Sequence, residues 1–139
     1  AECLRLLRPG GLLLIGHFDW LPLPGSVVEA TEALILQHNP RWALGGGCGI
    51  HWRWFADLAG AGFIGLESFS FDLDQPYSHE AWRGRIRASA GVAASLDPAG
   101  VARFDAEHAA LLAQRFPQPL LQVPHRVFAL VGRKPSTSS

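Results

Sequence analysis

An α/β layered sheet is the fold class that this sequence predicts, and three observations predict it. A short, unbroken apolar run at residues 12–15 follows an Arg8-Pro9-Gly10-Gly11 turn, as expected of a strand covered on both faces. Two further strand-like runs, at 63–72 and within 120–131, are separated from it by stretches with helical spacing and clear start signals. The 139 residues carry no internal repeat and no compositional break, which leaves room for one domain with its own core.

The opening residues, including Leu4, Leu6 and Leu7, favour a helix. Pro9 cannot extend it, and Gly10 and Gly11 can take the positive φ values of a sharp reversal. Ala1 already lies inside this helix with no capping residue ahead of it, and the chain contains no Met. That pattern reads as the interior of a longer protein. Leu21-Pro22-Leu23-Pro24-Gly25 suits neither helix nor central strand and is a loop.

Ser26-Val27-Val28-Glu29 matches a capping box that opens a helix over about 27–38, and Asn39-Pro40 stops it. The glycines of 45–49 form a plain loop. A second helix, about 51–61, carries Trp52, Phe55, Leu58 and Ala59 at helical spacing and ends at Gly62. The run 63–72 begins apolar and then alternates, Phe69 and Phe71 against Ser68 and Ser70, as a half-buried strand does. Asp74-Gln75-Pro76 is expected to end it. Ser78 caps a helix over about 79–90, and Asp97-Pro98 opens another that reaches about 116. The last strand lies within 120–131, and its direction is left open by periodicity alone. Residues 134–139 are a polar tail expected to be disordered.

Composition excludes several classes. Twelve basic and twelve acidic residues give a net charge of +0, so nothing draws the chain to nucleic-acid phosphates or an anionic membrane. There is no apolar run of the roughly 18–20 residues a membrane span needs, and no signal-peptide pattern. Two distant cysteines, Cys3 and Cys48, do not make a disulfide framework and point to a reducing, cytoplasmic setting. The six His are scattered without His-x-x-x-His or Cys-x-x-Cys spacing, so no metal site is expected.

The order of these elements resembles the second half of a class I S-adenosylmethionine-dependent methyltransferase domain. Arg8-Pro9-Gly10-Gly11-Leu12-Leu13-Leu14-Ile15 is similar to that family's Pro-Gly-Gly turn into its fifth strand. Trp52 to Phe63, ending Ala59-Gly60-Ala61-Gly62-Phe63, resembles its helix and turn into the sixth strand. Pro124 to Pro135 resembles its antiparallel seventh strand, which inserts between strands five and six. The resemblance implies a Rossmann-like sheet, strands five to seven with covering helices, over residues 1–133. It also implies S-adenosylmethionine as the cofactor of the full-length parent. The family's acidic, glycine-rich cofactor motif is absent here and would lie upstream, so this chain alone is expected to be inactive and to supply no cofactor-binding residue.

Ligands of open α/β sheets bind beyond the carboxyl ends of the strands, which draws attention to His17, Asp19 and Trp20. His17 can take a proton from an oxygen or nitrogen nucleophile and Asp19 can orient it; the plainer reading is a loop His and a turn-capping Asp. Arg83 and Arg87 are i, i+4 neighbours able to grip a carboxylate or phosphate; otherwise they form a solvated, salt-bridged face. Gly84 inside that helix suggests close approach by another group. Trp20 and Trp82 are the tryptophans placed to line a substrate pocket, with the rest in the core. His51 and His79 read as surface or capping residues, and His38, His108 and His125 carry no assigned role.

Two functions follow. In the first, the full-length parent methylates a small-molecule substrate, with no nucleic-acid or membrane partner. In the second, the chain is a non-catalytic interaction module whose exposed sheet edge pairs with a second copy.

Overall fold

A computed structural model describes residues 2–136. The elements follow as α1 (Glu2–Leu6), β1 (Leu12–Trp20), α2 (Val27–His38), α3 (Arg53–Gly60), β2 (Ile64–Ser78), α4 (His79–Arg87), α5 (Pro98–Arg115) and β3 (Leu120–Arg133). The strands form one sheet in the order β1-β3-β2. Residues 10 and 11 pair with Lys134, and Leu21 pairs with Pro124, so β3 runs antiparallel to β1. Asp72 meets Arg126, and Gly132 abuts Leu66, so β3 is antiparallel to β2 as well. None of the described helices is long and apolar enough to cross a membrane.

The described residues fall into two compact units. The first takes the chain up to Asp19, Gly49–Asp72 and the chain from Arg126; the second takes Trp20–Cys48 and Leu73–His125.

In the first unit the Pro-Gly-Gly turn does what its residues allow. Gly10 has a φ of 74°, and the Gly11 amide closes the turn on the Arg8 carbonyl at 2.9 Å. Gly11 has no positive φ; it is required because a Cβ there would stand 2.8 Å from that carbonyl oxygen. Leu13 and Ile15 point from β1 onto a core of Leu58, Phe63, Phe128 and Leu130. Leu12 and Leu14, on the opposite face, are 53% and 61% exposed. The expectation of a strand covered on both faces therefore fails for β1, which lies at a sheet edge. The buried strand is β3, where Phe128, Ala129 and Leu130 are all buried.

Helix α3 ends at Gly60, and Gly62 two residues on, with a φ of 96°, lets the Phe63 amide reach back to the Leu58 carbonyl at 3.0 Å. Pro76 does not end β2, which continues to Ser78. An edge strand tolerates Pro because one row of its amides has no ladder partner to lose. Lys134 is held rather than loose: its amide donates to the Gly11 carbonyl at 2.8 Å and its Nζ to the Leu7 carbonyl at 2.8 Å. Ala1 and residues 137–139 of the expected tail lie outside the described residues.

The second unit packs α2, α4 and α5 around Val28, Ile35, Trp82, Ile86, Phe104 and Leu112. Each helix is opened by the residue its sequence suggests: Ser26 accepts from the Glu29 amide, Ser78 from Ala81, and Asp97 from Gly100. Glu29 completes a variant of the capping box by accepting from the Gly25 amide at 2.7 Å. Gly84 meets no close neighbour; a Cβ there would find only the Arg87 guanidinium, at 3.6 Å. The expectation of close approach at Gly84 is not met.

Inside this core, the Thr31 hydroxyl joins three helices. It donates its one proton to the Val27 carbonyl at 2.7 Å, so it must accept from Trp82 Nε1 and His108 Nε2, each 3.1 Å away. That fixes His108 as the neutral Nε2–H tautomer and leaves its buried Nδ1 without a hydrogen-bond partner. Burial pushes the imidazole down from 6.5 to about 4, against the opposing pull of Asp105. Above pH 6.5 both native and unfolded chains hold this residue neutral. Between 6.5 and about 4 only the unfolded chain takes up the proton, so stability falls as pH falls, by on the order of 3 kcal/mol across that window. Urea unfolding at pH 7 and at pH 4.5 is expected to show this loss in the native sequence and a much smaller one in His108→Gln, which keeps an N–H for Thr31 but cannot titrate.

Candidate functional site

The alternation of β1 sends residues 13, 15, 17 and 19 to one face. The first two are apolar and covered by α3; the next two are His17 and Asp19, where that cover thins. The loop before α3 delivers His51 to the same place. His51 Nε2 lies 2.6 Å from Asp19 Oδ2, and His17 Nδ1 lies 3.0 and 3.1 Å from the two carboxylate oxygens. An ionised carboxylate only accepts, so both imidazoles donate to it. Neutral His17 then has its lone pair on Nε2, and neutral His51 has its own on Nδ1.

Aromatic rings fix these orientations. His51 stacks on Trp54 with centroids 4.3 Å apart and an interplanar angle of 12°. His17 meets the same indole edge-on at 4.9 Å, and Phe128 stands 5.7 Å from His51. The side chains of His17, Asp19 and His51 are 43%, 31% and 28% exposed, so the group is reachable from solvent. Burial alone would raise the Asp19 carboxyl, but the hydrogen bonds from His51 and then His17 outweigh it and hold the group below the usual carboxylate range.

One ligand atom from each of the three lies within 4.8 Å of the others, a clustering that no His-x-x-x-His or Cys-x-x-Cys spacing announces. His51 is 32 residues from Asp19. No local spacing could announce the pair, and its position just before a helix made capping the simpler reading.

The other predicted site residues go elsewhere. Trp82 is fully buried, with its indole N–H on Thr31. Trp20 donates to Glu32 Oε1 at 2.8 Å and meets Trp82 edge-on at 5.5 Å. Arg83 and Arg87 both turn to Asp105 on α5: Arg83 Nε lies 3.0 Å and Arg87 Nη1 2.7 Å from its Oδ1, and a second Arg83 nitrogen reaches Oδ2. Glu80 takes a remaining nitrogen of each, at 3.1 and 2.7 Å. The place kept for a substrate anion is filled by the protein's own carboxylates, which clamp α4 to α5. Asp105 titrates below its ordinary value, chiefly through the hydrogen bond from Arg83.

The cation that sequence reasoning passed over is Arg85, whose guanidinium lies 5.4 Å from the centre of the Trp20 ring while its buried Nε makes no hydrogen bond. The glycine loop also has a neighbour. Gly45 and Gly46 border a cavity of about 410 Å³ with Glu29, Glu32, Leu36 and Trp42, and the Gly46 amide donates to Glu32 Oε2 at 2.8 Å.

No family model matches the chain, and no curated protein does. Among solved structures it is similar to the crystal structure of a "putative methyltransferase" from Bacillus halodurans, at 17% identity and a TM-score of 0.45. The likeness covers 97% of this chain and 61% of that one, so the chain spans less than two thirds of that neighbour's length.

Asp19 contributes stability that is complete above its unfolded value of about 3.9 and is lost as pH falls through its lower native value. Asp19→Asn is therefore expected to flatten the acid limb of the stability curve below about pH 4, with little change near pH 7 in its shape. Thermal unfolding followed from pH 7 to pH 2 checks this.

Proposed function

We propose that this chain is the C-terminal half of an S-adenosylmethionine-dependent methyltransferase that, at full length, methylates a small-molecule substrate. The observation that carries the reading is the placement of β3, antiparallel and between β1 and β2. That is the arrangement implied by the resemblance of residues 8–15 and 124–135 to the methyltransferase family, and it follows an Arg8-Pro9-Gly10-Gly11 turn of the expected form.

This reading assigns no cofactor seat to this chain. The glycine loop at 45–49 follows a helix and not a strand, and its Gly46 amide is spent on Glu32. The cofactor's seat belongs to the preceding half of the parent. What this chain contributes is a place to put the acceptor and a group to take its proton. Asp19 accepts the Nδ1–H of His17 and so holds the ring with Nε2 free, the same division of labour by which a carboxylate orients a catalytic imidazole. His17 Nε2 takes the proton of an acceptor hydroxyl or amine as the methyl group is transferred, and His51 fixes the carboxylate from its other side. Methyl transfer is mainly a matter of alignment, and a positioned base adds about 10²–10⁴-fold when the nucleophile carries a proton. Trp82, Arg83 and Arg87 have no part in this reading, because their polar groups are already engaged inside the protein.

A second reading rests on the edge of β1, where Leu12 and Leu14 stand exposed. In the parent, that edge pairs with preceding strands; in a non-catalytic module, it pairs with a second copy. Sedimentation separates the two, since the second requires a stable dimer of the full-length protein.

The direct test is transfer of labelled methyl from S-adenosylmethionine by the full-length protein to a panel of small hydroxyl and amine compounds. Label is expected in at least one class, with His17→Ala lowering kcat by about 10²-fold or more and leaving cofactor affinity intact. No cofactor binding by the full-length protein sinks the methyltransferase reading; unchanged kcat in His17→Ala sinks the role of His17 alone.

A further inference from the structure

We propose that His17, Asp19 and His51 form a binding site for a divalent transition-metal ion, zinc being the ion the donor set suits. Three ligand atoms of the right kinds converge from two separate segments: one nitrogen of each imidazole and a carboxylate oxygen, all within 4.8 Å of one another. Around a tetrahedral zinc with bonds of about 2.0–2.1 Å, neighbouring ligand atoms stand about 3.3 Å apart. The present separations of 2.6 to 3.1 Å across the Asp19 carboxylate would open by about 0.2 to 0.7 Å, with the two imidazole nitrogens already within 4.8 Å of each other.

Two nitrogens and one oxygen favour zinc and its neighbours over magnesium or calcium, which prefer all-oxygen surroundings. Three protein ligands leave at least one position for water or another small ligand, the pattern of a reactive and not a purely structural zinc. The surroundings favour order. His51 is stacked on Trp54 and flanked by Phe128, so little side-chain freedom is lost when it takes up a metal. Among the described residues both rings bond to one carboxylate, that of Asp19, so the ion brings a positive charge to an anionic ligand.

Binding asks each imidazole to move its proton to the nitrogen that faces away from Asp19, a change of tautomer with no net release from the neutral rings. Occupancy and the proton transfer assigned to His17 therefore compete for one carboxylate and two rings. The metal site does not rest on the methyltransferase reading, and its test uses no activity measurement.

The 139-residue chain, titrated with zinc chloride by calorimetry and with cobalt chloride by visible absorption, is expected to take up one ion and to show the intense bands of tetrahedral cobalt, which zinc then abolishes. His17→Ala, Asp19→Ala and His51→Ala are each expected to weaken binding by more than about tenfold. Asp19→Asn, which keeps the side chain's volume, provides the comparison if Asp19→Ala unfolds, as judged by circular dichroism. Absence of stoichiometric binding overturns the proposal, as does affinity unchanged in the folded Asp19 and His51 variants. A thiolate-to-cobalt band in the near ultraviolet overturns it too, by assigning the ion to Cys3 or Cys48. A chain that binds no zinc while its full-length parent transfers methyl groups would refute the metal site and leave the proposed function standing.

Discussion

A strand in the middle of a sheet must satisfy its backbone donors and acceptors on both sides at once, and β3 is that strand. Its antiparallel pairing with β1 on one side and β2 on the other ties together segments more than a hundred residues apart in the chain, as the bond from Lys134 to Gly11 shows. Antiparallel ladders of this kind place opposite side chains within reach of one another, and the consequences are visible at each level. Arg126 can bind Asp72 bidentately at 2.6 and 2.7 Å, and Gly132 lets Leu58, Phe63 and Leu66 close in where any Cβ would lie 3.0 to 3.2 Å from them. With Phe128 and Leu130 as its floor, β3 gives α3 a surface to lie on, and α3 with the loop before it brings Trp54 and His51 to the end of β1.

The two clusters of ionisable groups show how the same residue types serve different ends. Asp105 holds two guanidiniums, and Glu80 closes the ring from outside; every charge there is answered within the protein, so the cluster fastens two helices and offers nothing to a ligand. Asp19 holds two imidazoles, each of which has a second nitrogen to offer. The difference lies in the partner. A guanidinium only donates, whereas an imidazole can turn from donor to acceptor by moving one proton.

How much of this was legible beforehand depends on how local the cause was. Helix starts at Ser26, Ser78 and Asp97 and the turn at Gly10 and Gly62 depend on residues within four positions, and all appear as the sequence suggests. The end of β2 did not, because Pro76 breaks a strand only where its missing amide is needed, and edge position is a property of the whole sheet. The burial of β1 was misjudged for the same reason: an apolar run shows that a strand can be covered, not that it is. His17 and Asp19 stand out in the sequence because they follow an apolar run expected to be a strand, and that strand in fact extends through them to Trp20. Their third partner, and the carboxylate that claims Arg83 and Arg87, sit on elements 32 and 22 residues away, and only tertiary packing joins them.

The stacking of His51 on Trp54 has an optical consequence. A proton gained by an imidazole held face to face with an indole at 4.3 Å sets a positive charge against the ring's π face, where it perturbs the indole's electronic states. The fluorescence of Trp54 is thereby coupled to the charge state of the ring beside it, and the protein carries its own reporter of what happens at the end of β1.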